Sequence, residues 1–115
     1  MSQEPRYYEF VRLASFERSA ENVLTEEEIQ RVEARLIANP RAGDLVANTG
    51  GVRKLRAASE GRGKRGSTRV IYLFLELRGK IYLLLAYPKN AQANLTDEQK
   101  RRMRELVARL REERS

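Results

Sequence analysis

Two apolar segments joined by a short turn constrain the fold of this chain more than any other feature. The first, STRVIYLFLEL, ends just before RGK, and the second, IYLLLAY, begins just after it. Strand-forming side chains on both sides of such a turn predict an antiparallel hairpin over Arg69–Leu77 and Lys80–Tyr87. Because YLFL and LLLA contain no polar residue, both strands are expected to pack on both faces, in the middle of a sheet.

Two capping boxes mark the starts of the longer helices. Thr25 is followed three residues later by Glu28, and Thr96 by Gln99. The first helix is predicted to end at Asn39, because the proline after it disfavours helical backbone. The apolar stripes of the two helices comprise Ile29, Val32, Leu36 and Ile37 in the first and Met103, Leu106, Val107 and Leu110 in the second.

The remaining segments predict one small domain over residues 1–115. Tyr7–Leu13 has the pattern of a strand, and a polar helical stretch follows from about Ser15 to Asn22. One or two short strands are expected from Leu45 and from Val52. The order β-α-α-β-β-β-α indicates an α+β fold, a small antiparallel β-sheet with two N-terminal helices and a C-terminal helix packed on it.

Nearly all of the net charge lies in one stretch, GGVRKLRAASEGRGKRGSTR. This stretch has a formal charge of +6, out of +7 for the whole chain. If Leu55 points into the core, alternation places Lys54 and Arg56 side by side on the opposite, exposed face. Arg69 begins the next strand and is expected near both. Composition alone is equally consistent with a plainer interpretation, a solvated loop with general affinity for polyanions.

Composition narrows the chemistry further. The chain has no Cys and no His, which argues against disulfides, thiolate chemistry and a zinc site. No apolar run is long enough to span a membrane, and the first residues do not have the pattern of a signal peptide, so a cytoplasmic protein is expected. A pI near 10.1 points to an anionic partner, with nucleic acid the first candidate.

One RNA-cleavage reaction needs neither His nor Cys. In it the 2′-hydroxyl of the substrate attacks the adjacent phosphate, so the protein supplies position, positive charge and proton transfer. Arginine clamps phosphate oxygens, a lysine among other cations can act as acid or base, and tyrosine can protonate the leaving group or stack on a base. The residues that would suffice are Lys54, Arg56, Arg69, Tyr87 and Lys89.

A series of motifs extends over about Leu24 to Val107, and comprises LTEEEI…ANPRAGDLVANTGG, GGVRKLR, GRGKRGSTRVIY, IYLLLAYPKN and NLT before the last helix. In this order and spacing, the motifs resemble the RelE/HigB group of bacterial type II toxins. The resemblance implies a microbial-ribonuclease-like fold and a ribosome-dependent mRNA endonuclease without a metal or organic cofactor. It also implies a cognate antitoxin of the HigA or RelB type, and a toxin–antitoxin hetero-oligomer.

The resemblance assigns catalytic roles to Lys54, Arg56, Arg69 and Lys89. RNA-backbone binding would then fall to Arg53, Arg62, Lys64 and Arg65, with Arg53 expected on the other face or at its edge. Many RelE-like toxins carry an aromatic residue or His in the C-terminal segment, and this terminal helix has neither. The tyrosines that remain for that role are Tyr72, Tyr82 and Tyr87. Core packing is the alternative for the first two, which lie in apolar strands, and alternation places Tyr87 on the same face as Leu83 and Leu85.

Two alternatives stay open at this point. A ParE-like gyrase inhibitor of the same fold would act by binding, without ribonuclease activity. A non-catalytic basic nucleic-acid-binding module would use its cations only to hold phosphates, and its affinity would fall in proportion to the charge removed.

Overall fold

A computed structural model describes residues 7–58 and 67–113 of the chain, and these form an α+β fold, as predicted. In chain order the elements are β1 (Glu9–Arg12), α1 (Ala14–Ala20), α2 (Glu26–Ala38), β2 (Asp44–Leu45), β3 (Arg53–Ala58), β4 (Ser67–Leu75), a 3-10 turn (Glu76–Arg78), β5 (Lys80–Pro88) and α3 (Asp97–Glu112).

The strands form a single five-stranded sheet in the order β1-β5-β4-β3-β2. The predicted hairpin is confirmed, since β4 and β5 pair antiparallel at the centre of the sheet. The sheet is mixed rather than wholly antiparallel, because β1 pairs parallel with β5. These two strands lie far apart in the sequence, so no tight turn between them imposes the antiparallel direction.

Helices cover both faces of the sheet, which explains why β4 and β5 are apolar without interruption. On one face, which we call the α1–α2 face, Phe16 of α1 and Leu36 of α2 pack with Val70 of the sheet. On the other, the α3 face, Met103 and Val107 of α3 pack on strand residues that include Ile71 and Leu73. The side chains that alternate along a strand therefore enter two separate cores.

Both predicted capping boxes are present. The hydroxyls of Thr25 and Thr96 accept from the backbone N–H groups of Glu28 and Gln99, whose side chains accept from the threonine N–H groups in return. The predicted apolar stripe of α2 was wrong at one position, because Ile37 is 52% exposed. Ile37 follows the fully buried Leu36, and one residue turns the helix by about 100°, away from the sheet.

The strand predicted to reach Leu77 ends two residues earlier. Leu77 lies in the 3-10 turn and is fully exposed, and Gly79 ends the turn in the left-handed conformation, with φ 63°. Glycine adopts this conformation without the steric cost that a Cβ brings. Arg78 of the same turn donates to the backbone carbonyls of Leu110 and Arg111, and so ties the hairpin to the end of α3.

Ion pairs of Arg12 with Glu26 and Glu33 link the edge strand β1 to α2. Arg12 donates to both carboxylate oxygens of Glu26, each at 2.8 Å, and to those of Glu33 at 2.9 and 3.1 Å. These bonds lower the pKa of Glu26 and raise the pKa of Arg12. In the described ranges, no helix has the length and apolar character required to cross a membrane.

Candidate active site

The register of the sheet aligns one residue from each of three strands on the α3 face. Arg56 of β3 lies opposite Arg69 of β4, which in turn lies opposite Tyr87 of β5. Directly opposed residues in an antiparallel sheet have Cα atoms about 4.5–5.5 Å apart. We call these three residues the central row; it brings together residues that lie up to 31 positions apart in the sequence.

The flanking rows complete the candidate site. Lys54 precedes Arg56 by two positions on the same face of β3, where it lies opposite Ile71 of β4. On the other side of the central row, the backbone N–H of Lys89 donates to the carbonyl of Ser67 at 3.1 Å. The pairing of β5 with β4 thus continues past Pro88. It brings Lys89 beside Ser67, on the side of the central row away from Lys54.

A bulge in β5 determines where Tyr87 points. Ile71 pairs with Leu85 while the next residue, Tyr72, pairs with Leu83, so Leu84 is an extra residue in β5. Simple alternation predicts that Tyr87 shares its face with Leu83 and Leu85. The structure confirms this for Leu85, but the prediction was wrong for Leu83, because the extra residue between them reverses the alternation. Leu83 enters the core of the α1–α2 face, whereas Tyr87 enters the α3 face beside Arg69.

Arg69 is an unusual cation because it is only 8% exposed. Its Nη1 donates to the hydroxyl oxygen of Ser67 at 2.6 Å. Within the described residues, no carboxylate lies within ion-pair distance of its guanidinium, and the residue opposite is Arg56, another cation. A largely buried charge without a counter-ion is costly, and an anionic ligand would relieve that cost.

The hydroxyl group of Tyr87 is available to a ligand. Its ring lies in the core of the α3 face, and its hydroxyl oxygen is buried without a hydrogen-bond partner among the residues that the structure describes. Burial raises the pKa of Tyr87, and the charge of Arg69 opposes this only in part. The hydroxyl therefore stays protonated at neutral pH, as a hydrogen-bond or proton donor must.

The loop between β5 and α3 forms one side of the site. Lys54 Nζ donates to Asn94 Oδ1 at 3.3 Å, across 40 residues of sequence. Gln92 donates both to the backbone carbonyl of Asn94 and to the side chain of Gln99, the capping residue of α3. The start of α3 thus holds the loop that contacts Lys54.

The other predicted site residues lie elsewhere. Arg53 alternates with Lys54 and lies on the α1–α2 face, where it donates to the carbonyls of Gly43 at 2.7 Å and Arg41 at 3.4 Å. Arg53 was expected on the other face of the sheet from Lys54 and Arg56, and the structure agrees. Its RNA-binding role stays a prediction. The predicted RNA-binding residues Arg62, Lys64 and Arg65 lie outside the described residues.

Tyr72 and Tyr82 are core residues. Tyr72 is fully buried on the α1–α2 face, and its hydroxyl donates to the carbonyl of Pro40 and accepts from the backbone N–H of Gly43. Gly43 must be small here, because a Cβ would come within 2.8 Å of the carbonyl of Lys54. Tyr82 is buried on the α3 face.

Two site residues were missed by the sequence analysis, Ser67 and Asn94. Ser67 could have been found, since it lies two positions before Arg69 and so shares its face in a strand. Asn94 gave no comparable signal, because its place depends on a loop. In the described ranges, no group of three or more His, Cys, Asp or Glu side chains is arranged to bind a metal ion.

Comparison with protein families gives one match that covers nearly the whole chain. Residues 9–114 match the family model described as the RelE toxin of the RelE/RelB toxin–antitoxin system. The match includes every strand and helix described above, together with the residues of the candidate site, which are Lys54, Arg56, Ser67, Arg69, Tyr87, Lys89 and Asn94.

Proposed function

The chain belongs to the RelE toxin family, whose members are toxins of toxin–antitoxin systems, and from this premise we propose that it is an mRNA interferase. In this proposal the protein is a cytoplasmic endoribonuclease that cleaves mRNA on translating ribosomes. Its substrate is the mRNA held by the ribosome, and its inhibitor is a cognate antitoxin.

The observation that carries the proposal is that the central row holds two facing cations without a counter-ion in the described ranges. Arg69 is 8% exposed, faces Arg56, and has no carboxylate within ion-pair distance in the described ranges. Stability alone does not favour two facing cations, because like charges directly opposite each other in a sheet repel. A phosphate with two negatively charged oxygens in the transition state would satisfy both guanidinium groups.

The proposed reaction uses the substrate's own nucleophile. The 2′-oxygen of one nucleotide forms a bond to the adjacent phosphorus while the bond from phosphorus to the 5′-oxygen breaks, which leaves a 2′,3′-cyclic phosphate and a free 5′-hydroxyl. Arg56 and Arg69 bind the phosphate oxygens. Lys54 enters the reaction as the neutral amine, accepts the proton of the 2′-hydroxyl and is left as an ammonium. Tyr87 donates its proton to the 5′-oxygen and is left as a phenolate, and Lys89 adds positive charge at the end of the row.

Two features of the surroundings of Tyr87 support its assignment as the donor. Burial raises the pKa of Tyr87, which favours the protonated form, and its hydroxyl has no partner in the described part of the chain that would compete for the proton. The atoms and charges of the reaction balance without a metal ion or an organic cofactor.

The antitoxin is proposed to bind through complementary charge. Its most direct target would be the cations of the stretch Gly50–Arg69, which carries most of the net charge. The acidic start of α2 is a weaker candidate, because Glu26 is bound by Arg12 and Glu28 is buried in its capping box. A RelB-like or HigA-like protein with an acidic segment fits this expectation, and the complex would be a hetero-oligomer.

The test is mRNA cleavage in a reconstituted translation system, with free RNA and empty ribosomes as controls. Wild-type protein should cut within the ribosomal A site, and Lys54→Ala and Arg69→Ala should abolish the cuts. Arg18→Ala is the matched control, because it removes the same charge from an exposed position on α1, a helix that packs on the opposite face. Intact mRNA with folded wild-type protein would overturn the proposal, and a DNA gyrase assay would then test the ParE-like alternative.

A further inference from the structure

Ser67 binds the most buried cation of the site, and no role has been given to it so far. We propose that Ser67 is a positioning residue, which holds the Arg69 guanidinium in the orientation that binds the scissile phosphate. The inference rests on the proposed function and deepens it, since it adds a residue that acts on the phosphate only through Arg69.

The backbone of Ser67 is held on both sides. It begins the central strand β4, pairs with Ala58 of β3, and accepts at its carbonyl from the N–H of Lys89 on the β5 side. Its side chain points to the same face as that of Arg69, two positions along the strand. The hydroxyl is therefore a fixed point, and the contact of 2.6 Å from Nη1 of Arg69 fixes one edge of the guanidinium.

The chemistry of the acceptor matters as much as its position. A guanidinium has five N–H donors in one plane, so one bond to Ser67 restricts the rotation of that plane and leaves four donors for a ligand. A hydroxyl oxygen is neutral, so it orients Arg69 without cancelling its charge. A carboxylate at the same place would form a bidentate ion pair and compete with the phosphate.

Three substitutions separate these effects. Ser67→Thr keeps the hydroxyl and suits a strand, so it should cleave like wild type. Ser67→Ala removes the acceptor, and the single-turnover cleavage rate on saturated ribosomes should fall by about tenfold, with ribosome affinity unchanged. Ser67→Asp should lower the rate further than Ser67→Ala does. Thermal unfolding of each variant establishes that it is folded.

The background Arg69→Lys tests whether Ser67 acts through Arg69. Lysine keeps the charge but has no planar fork to orient, so Ser67→Ala should cause less than a twofold further loss in that background. An equal tenfold loss in both backgrounds would mean that Ser67 contacts the substrate itself, and it would overturn the inference.

The inference and the proposed function fail in different ways. If wild type cleaves mRNA and Ser67→Ala cleaves equally well, or Ser67→Thr does not restore the rate, only the inference is overturned. If wild type leaves mRNA on translating ribosomes intact, the proposed function is overturned and the inference falls with it.

Discussion

The ring of Tyr87 packs in a core, whereas its hydroxyl is assigned a chemical role. A single substitution can therefore separate packing from proton donation. Tyr87→Phe keeps the buried ring and removes only a hydroxyl that has no partner in the described ranges. We expect the free energy of unfolding at pH 7 to change by less than about 1 kcal/mol, since no hydrogen bond is removed. The single-turnover cleavage rate should fall by about 100-fold or more, the usual contribution of a general acid.

Tyr72 provides the matched control for this prediction. Tyr72→Phe also removes one hydroxyl from a buried ring, but this hydroxyl makes two hydrogen bonds, to Pro40 and Gly43, on the opposite face. It should cost about 1–3 kcal/mol in stability and leave the cleavage rate of the folded protein unchanged. If Tyr87→Phe cleaves like wild type, the tyrosine is a packing residue and the proton donor lies elsewhere.

The same tyrosines determine how stability should change at alkaline pH. Burial raises the pKa of both Tyr72 and Tyr87 in the folded protein. The unfolded chain then loses these protons at a lower pH than the folded protein does. Stability should therefore be full below about pH 10 and decrease as the pH rises above the unfolded value.

Urea unfolding between pH 8 and pH 11 measures this decrease. Tyr87→Phe removes one of the two groups, so its stability should decline less steeply than that of wild type above about pH 10. Parallel curves for the two proteins would contradict the burial of the Tyr87 hydroxyl.

Among the elements, those with local signals were predictable from the sequence. Both capping boxes, the end of α2 before Pro40 and the central hairpin follow from residues within a few positions of each other, and all are present. The parallel pairing of β1 with β5 was not predictable in this way, because it depends on where a distant strand completes the sheet.

The candidate site was predictable only as far as alternation holds. Lys54 and Arg56 share a face and Leu55 is buried, as the pattern of β3 required. Alternation grouped Tyr87 with Leu83 as well as with Leu85, and the Leu83 part was wrong. IYLLLAY is apolar throughout, and such a run contains no sign of the extra residue Leu84. Without this bulge, Tyr87 would point towards α1 and α2, away from Arg69.

The first turn of α3 is linked to the candidate site through the loop that precedes it. Thr96 caps α3 together with Gln99, and Gln99 holds Gln92 in the loop that brings Asn94 to Lys54. Thr96→Ala should cost about 1 kcal/mol in stability, the usual effect of removing a cap. It should also lower the cleavage rate several-fold, because a frayed first turn of α3 would loosen Gln99, whose side chain holds Gln92 in this loop.

Thr25→Ala is the control, since it removes the same kind of capping box from α2. It should cost a similar free energy in urea unfolding without an effect on the cleavage rate of the folded protein. If both variants lower the rate equally, the decrease reflects general destabilisation and not the loop. If neither does, the hydrogen bond between Asn94 and Lys54 has no part in cleavage.

For the whole molecule, the distribution of charge indicates that some cations bind the RNA backbone and others take part in catalysis. The stretch Gly50–Arg69 carries a formal +6 of the total +7, yet of its seven cations only Lys54, Arg56 and Arg69 belong to the candidate site. Ion pairs between cations and phosphates strengthen binding at low salt without regard to sequence. The remaining cations of the stretch are therefore expected to hold ribosomal RNA or mRNA backbone while the site residues do the chemistry.

This division of roles is tested by replacing Arg62, Lys64 and Arg65 together with alanine. The variant should bind ribosomes more weakly, and the slope of log affinity against log salt should become shallower by about 0.7–0.9 for each phosphate that these side chains neutralise in the wild type. Once the ribosomes are saturated, its cleavage rate should equal that of wild type. Arg69→Ala should show the opposite pattern, with a small change in affinity and a large decrease in rate. Should both variants bind more weakly in proportion to the charge removed, with no separate effect on rate, all of these cations would serve binding only, as in a non-catalytic nucleic-acid-binding protein.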